Sequence, residues 1–251
     1  MFHRGMLKIC KYTKLLSNEI VVSPAEGFVD FLKGMDMIKE EYLKKGLVKK
    51  DRAPFLYNEG LVNKKSTLLL ARKGQQVLGT IGVIRGENNH LPCSKLFAGE
   101  LQSLNLQHRK IMEIGALSVK SGAEIDNLVF LLYLKIMMYA IFIEEIEDIF
   151  IQVAEKKASF YIRNLLFEPI GCAKSHPDYR NISACLLRVN VKALREKIYE
   201  QQCYGSRGWA KILLELGLLA EYKKVRYQYC RHSKFTLDKK DAEVYHYLCH
   251  L

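Results

Sequence analysis

The sequence predicts an α/β fold: a central mixed sheet flanked by helices, followed by a helical C-terminal extension. Three observations predict it. Between Lys110 and Asn190 the apolar pattern runs strand, helix, strand, helix, strand, the order of a layered α/β domain. Ahead of that segment, two apolar β-type runs flank Lys73-Gly74-Gln75-Gln76, which reads as a hairpin. Beyond it, from Lys192, the periodicity turns helical and the composition basic.

The elements follow in order. Residues 25–47 read as a helix, because Phe28, Phe31, Leu32, Met35, Ile38, Tyr42 and Leu43 recur at helical spacing. Pro24 suits its first turn, and Lys44, Lys45 and Gly46 suit its end. After a polar stretch with Pro54, the runs Thr67–Arg72 and Val77–Arg85 form the hairpin, with Gly74 supplying a positive φ. Asn88 to Pro92 is a loop and Phe97–Leu106 a short helix. Lys110–Val119 is a strand, and Leu128–Ile143 a long apolar helix. Asp148–Ala154 is apolar almost throughout, as suits a parallel strand covered on both faces. A short helix carrying Phe160-Tyr161 follows, then a strand pair ending in Ala184–Val189. Residues 192–203 and 208–223 read as helices, the second with a stripe of Leu213, Leu214, Leu216, Leu218 and Leu219. The tail 223–251 is rich in Lys, Arg, Tyr and His. This divides the chain into a domain over 1–191 and a basic extension over 192–251.

Composition narrows the partners. With 49% hydrophobic and 26% charged residues in 251, the chain has material for a core and does not read as disordered. A formal charge of +12 attracts a polyanion: nucleic acid, acidic phospholipid or an acidic protein. The seven cysteines are an odd number without a Cys-x-x-Cys pair, which reads as a reduced, cytoplasmic protein. Cys172 and Cys185 fall in or beside apolar strand patterns, where a thiol packs as a small core residue. The basic N-terminus is followed by no apolar run of signal-peptide length. Leu128–Ile143 is shorter than the roughly 20 residues of a membrane span.

Three stretches carry a family resemblance. The first is Leu91-Pro92…Phe97…Glu100-Leu101…Leu104…Arg109-Lys110…Glu113-Ile114-Gly115-Ala116-Leu117-Ser118-Val119. The second is Phe160-Tyr161-Ile162-Arg163…Leu166-Phe167-Glu168-Pro169-Ile170-Gly171, and the third Ala184-Cys185-Leu186-Leu187. With Gly79-Thr80 in the hairpin, they resemble in order and spacing the GNAT-type N-acyl amino acid synthases, relatives of the acyl-homoserine-lactone synthases, over residues 25–190. The resemblance implies a GNAT-like acyltransferase fold and transfer of a fatty acyl group to an amine. Three departures stand out. Lys157 replaces a frequent His, and Leu166 replaces the usual Gly before the signature Phe. Lys120-Ser121-Gly122-Ala123-Glu124 replaces the glycine-rich loop with which coenzyme-A-dependent relatives hold a pyrophosphate. The missing loop and the positive charge together imply acyl carrier protein as donor, with acyl coenzyme A as the alternative and no bound cofactor.

Acyl transfer from a thioester to an amine needs a proton acceptor, oxyanion donors, a proton for the leaving thiolate and an apolar groove. Glu113, at the start of the strand that lines the cleft, is the candidate base; its alternative is a surface ion pair with Lys110 or Arg109. The resemblance implies Tyr161 as the acid for the thiolate. Ser118 is a candidate hydrogen-bond partner of the thioester or acceptor, against the alternative of a solvent-facing strand serine. Arg72, ahead of Arg85 and Arg163, is the candidate clamp for a substrate carboxylate. Leu117, Phe130, Leu131, Met137 and Met138 are candidates to line the acyl groove.

Other readings stay open. Cys230, His232, His246, Cys249 and His250 are possible zinc ligands, although their spacing matches no common finger and the metal expectation is none. Lys223, Lys224, Arg226, Tyr227, Tyr229, Arg231 and Lys234 interleave cations with aromatics, as a non-catalytic nucleic-acid-binding surface would. A coenzyme-A-dependent N-acetyltransferase is the alternative within the fold.

Overall fold

A computed structural model of the chain describes residues 19–63, 65–85, 90–121, 128–200, 219–231 and 235–250. The basic N-terminus, the leucine stripe up to 218, Gly122-Ala123-Glu124, His232 and Lys234 lie outside these residues. The strands are β1 (Val21–Pro24), β2 (Thr67–Lys73), β3 (Gln76–Arg85), β4 (Ile111–Val119), β5 (Asp148–Ala154), β6 (Glu168–His176) and β7 (Ile182–Asn190). The described helices are α1 (Phe28–Lys44), α2 (Ser94–Gln102), α3 (Leu128–Phe142), α4 (Glu155–Asn164), α5 (Val191–Glu200), α6 (Leu219–Arg231) and α7 (Lys239–Cys249).

One seven-stranded mixed sheet runs in the order β1-β2-β3-β4-β5-β7-β6. All neighbours are antiparallel except β4 and β5, which are parallel and joined through α3. Alternation along the strands sorts the core into two faces. Leu69, Ile81, Val83, Met112, Ile114, Ile149, Ile151, Leu187 and Val189 pack with α3 on one face. On the other, Leu68, Leu70, Ile84 and Ala116 meet Phe31, Met35 and Ile38 of α1 and Tyr245 of α7. Ile111, Phe150 and Leu186 sit beside them with Phe97 and Leu101 of α2.

α3 is apolar all round because it is covered all round. Leu128, Phe130, Leu131, Leu134, Ile136 and Met138 are each no more than 4% exposed. Each such side chain contributes about 1.5–3 kcal/mol by leaving water. Its one charge, Lys135, is buried too and forms an ion pair with Glu221, which ties α6 to α3. No described helix is long and apolar enough to cross a membrane.

Several boundaries differ from the sequence reading. Pro24 ends the edge strand β1 rather than opening a helix, and α1 starts at Phe28. A proline costs little at the end of an edge strand, where few ladder bonds are at stake. The short helix lies at Ser94–Gln102, earlier than Phe97–Leu106, and is kinked at Phe97. The helix expected to stop at residue 223 runs to Arg231, and the basic tail holds α7. The cap of α7 is local: the Asp238 carboxylate accepts the Asp241 N–H at 2.8 Å. Cys172 is exposed on the edge strand β6 and Cys185 only half-buried, whereas Cys93 is buried.

Candidate active site

The site is set by where β4 and β5 part. Their pairing runs from Ile111–Asp148 only to Ile114–Ile151. β4 then continues to Val119 along β3, while β5 continues to Ala154 along β7. Gly115–Val119 and Gln152–Ala154 therefore face an opening whose main-chain groups are not paired across it. A β-bulge sharpens the departure. Gly82 pairs with Gly115 and Thr80 with Ser118, so one β3 residue opposes both Ala116 and Leu117. Ala116 takes a positive φ of 48°, and the Thr80 hydroxyl donates to its carbonyl at 2.7 Å.

Glu113 lies just before this opening and is 3% exposed. Its side chain makes no surface pair with Lys110 or Arg109, since Arg109 bonds the buried Asp148 at 2.8 Å and Lys110 approaches Glu145. Glu113 Oε2 accepts the Cys93 backbone N–H at 2.8 Å, and Oε1 accepts the Gln152 amide at 2.9 Å. The Cys93 thiol is a further hydrogen-bond partner. Burial nonetheless outweighs these donors and raises the carboxyl above its ordinary range. A buried carboxylate with heightened proton affinity and a fixed orientation is suited to accept a proton.

Tyr179, Tyr42 and Tyr161 are phenols with raised proton affinity, of which the first two are in ring contact. Burial, then the charges of Asp178 and Glu113, push Tyr179 up to about 12. The Tyr179 ring meets Tyr42 of α1 edge-on at 5.9 Å and His176 at 4.6 Å. Tyr42 is pushed up by burial and by the phenols of both Tyr179 and Tyr161. Tyr161, on α4 directly after β5, packs edge-on against Phe160 and Phe167 at 5.4 and 6.0 Å. Burial pushes Tyr161 up to about 12, so it holds its proton at neutral pH. Glu113 on β4 is held by Cys93 and Gln152, whereas Tyr161 on α4 packs against Phe160 and Phe167.

The remaining candidates divide. Ser118 is 2% exposed, so it is no solvent-facing serine, and its hydroxyl has no partner among the described residues. Leu117 is half-buried, and Phe130 and Met137 are buried, in the cluster on the α3 face, with Leu131 and Met138. The arginines lie with other partners. Arg72 bonds Ser23 at 2.8 Å and pairs with Asp30 of α1, Arg85 reaches Glu144 at 3.3 Å, and Arg163 bonds Ser159 on its own helix. His246 and His250 stack at 4.2 Å, and among the described residues no group of three or more His, Cys, Asp or Glu could hold a metal ion. Of the cation–aromatic tail, Lys223, Lys224, Arg226 and Tyr227 lie on α6, and Lys224 is paired with Glu221.

Sequence reasoning missed Cys93, Gln152, Tyr42 and Tyr179. Gln152 carried a signal, being the one polar residue inside the apolar run Ile149–Val153. Nothing local marks Tyr42 or Tyr179, which meet only through the fold.

Comparison with known proteins bears on the family and the fold. The family model described as N-acyl amino acid synthase FeeM matches residues 34–190. FeeM from uncultured soil microbes is similar in structure at a TM-score of 0.59 and 20% identity, covering 72% of this chain and 97% of that one. The acyl-homoserine-lactone synthase LasI gives 0.48 and 14%, covering 68% and 89%. A GNAT-family acetyltransferase from Streptococcus pneumoniae gives 0.49 and 12%, covering 68% and 98%. No match is found among curated protein sequences. The FeeM model spans more than half of the chain, which therefore belongs to the N-acyl amino acid synthase family and is an acyltransferase of GNAT-like fold.

Proposed function

We propose that the protein transfers a fatty acyl group from acyl carrier protein to the amine of an amino acid or related metabolite. The observation that carries this reading is Glu113: a buried, oriented carboxylate of raised proton affinity beside the opening between β4 and β5. Glu113 accepts the proton of the amine, whose nitrogen attacks the thioester carbon. The N–C bond forms, the carbonyl oxygen takes negative charge, and unpaired backbone N–H groups beyond the bulge stabilise it. The C–S bond then breaks, and Tyr161 protonates the leaving thiolate. Ser118 hydrogen-bonds the thioester, and Leu117, Phe130 and Met137 receive the acyl chain.

Charge and an occupied position after β4 support this choice of donor. Ser121, in the loop after β4, donates its hydroxyl to the buried Glu41, which Lys44 and Lys45 also approach. The Ser121 hydroxyl is thereby engaged within the protein rather than offered to a pyrophosphate. The surplus of +12 favours an acidic carrier protein. Among the described residues Cys93, Cys172, Cys185 and Cys249 are free thiols, which fits a cytoplasmic enzyme.

The test is mass detection of products after incubation with long-chain acyl carrier protein and pooled amino acids, with acyl coenzyme A in parallel. An N-acyl product from the carrier protein is expected. Product from coenzyme A alone would overturn the donor, and product from neither would overturn the reaction.

A further inference from the structure

α7 lies outside residues 34–190, which carry the family match, yet its most buried side chain connects to the strand of Glu113. Tyr245 is 0% exposed, with its ring edge-on to Phe31 at 5.1 Å. Its hydroxyl is held twice, donating to the Leu56 carbonyl at 2.5 Å and accepting the Asn58 backbone N–H at 3.1 Å. Those groups lead into the single turn Glu59–Leu61.

That turn packs beside Pro92 and beside the point where β4 leaves β5. A β-carbon on Gly60 would stand 2.9 Å from the ring of Pro92, which precedes the Cys93 whose N–H holds the carboxylate. The Asn58 amide nitrogen is 3.9 Å from the position of a β-carbon on Gly115, where β4 leaves β5. Leu61 lies 3.1 Å from the corresponding position on Gly82, directly across from Gly115. The Tyr245 hydroxyl thereby ties α7 to the segment 56–61, which packs beside β3 and β4.

The side of the sheet assigns a purpose. Glu113 bonds Cys93, at the start of α2, and α2 shares the α1 and α7 face. Leu117, Phe130 and Met137 cluster on the opposite, α3 face. On the acyl-transfer reading the amine approaches Glu113 from the α1 and α7 face, and the acyl chain lies on the α3 face.

We propose that α7 completes the acceptor side of the active site: Tyr245 positions residues 56–61, and the Asn58 carboxamide contacts the amine-bearing acceptor. This rests on the acyl-transfer reading. The test uses the full chain as wild type, Tyr245→Phe, Asn58→Ala and the double variant, with acyl carrier protein and the acceptor turned over best. Each single variant should raise the acceptor KM about fivefold or more, with kcat and donor KM within about twofold. The double variant should be no worse than the poorer single one, because both act on one path. Tyr245→Phe keeps the ring packing, so hydrogen exchange should quicken at residues 56–61 and not across the sheet. An unchanged acceptor KM, an equal rise in donor KM, or unaltered exchange at 56–61 would overturn the inference. A wild type without product would instead remove the acyl-transfer reading, and the acceptor assignment with it.

Discussion

Replacing Glu113 by glutamine probes the base with little change of shape. The carboxylate accepts from Cys93 N–H and Gln152 Nε2, whereas the new amide has one acceptor oxygen. If that oxygen stays on Cys93, the new NH2 faces Gln152. Gln152 can answer by turning its own amide, because its oxygen is buried without a partner among the described residues. The fold should therefore survive while proton acceptance is lost. Loss of a general base lowers kcat by about 10²-fold or more, a barrier rise of about 2.7 kcal/mol.

Stability supplies a second reading on the same variant. Burial raises the Glu113 carboxyl above its ordinary 4.5, so the folded state binds this proton more tightly than the unfolded chain. The group's contribution is full below pH 4.5 and is lost as pH rises through the folded pKa. An amide does not titrate. Thermal melts should therefore show Glu113→Gln gaining on wild type as pH rises above 4.5. An unchanged kcat would remove Glu113 from the mechanism, and a gap that stays flat with pH would refute the raised proton affinity.

Three further outcomes follow from other parts of the molecule. If the +12 surface recruits the donor, kcat/KM with acyl carrier protein should fall about tenfold between about 50 and 500 mM salt; a flat response would assign the charge elsewhere. Leu166 holds a φ of +64°, so Leu166→Gly should be more stable than Leu166→Ala by about 1 kcal/mol in denaturant titrations, since alanine loses the side chain but keeps the strain; the reverse order would show the backbone relaxes. Glu221→Gln leaves Lys135 buried without its counter-charge and should cost about 3 kcal/mol, much of it recovered by Lys135→Met with Glu221→Leu; a small loss would mean that α6 is not held by this pair.

Local pattern carried much of the fold. The hairpin turn appears where Gly74 predicts it, with φ +58°, and the strand Asp148–Ala154 matches residue for residue. Both are legible because turn chemistry and continuous apolar runs act over a few residues. α7 was not, because its apolar residues are sparse and a tail rich in Lys, Tyr and His reads as a surface. Its place is settled by Tyr245, whose hydroxyl bonds the chain at Leu56 and Asn58, far away in sequence.

The active site divides in the same way. Glu113 and Tyr161 could be named as candidates from position and resemblance, because each belongs to a short motif on its own element. Arg72 could be named too, but an arginine's partner is a matter of tertiary placement, and here it is Asp30. What the sequence by itself determined was the layered α/β order, the acyltransferase kinship and the surplus positive charge. Only the tertiary structure decided that β4 leaves β5 at Ile114, that Cys93 and Gln152 bond the buried Glu113, and that Tyr42 meets Tyr179. Burial and through-space electrostatics depend on residues tens of positions apart, and no local pattern encodes them.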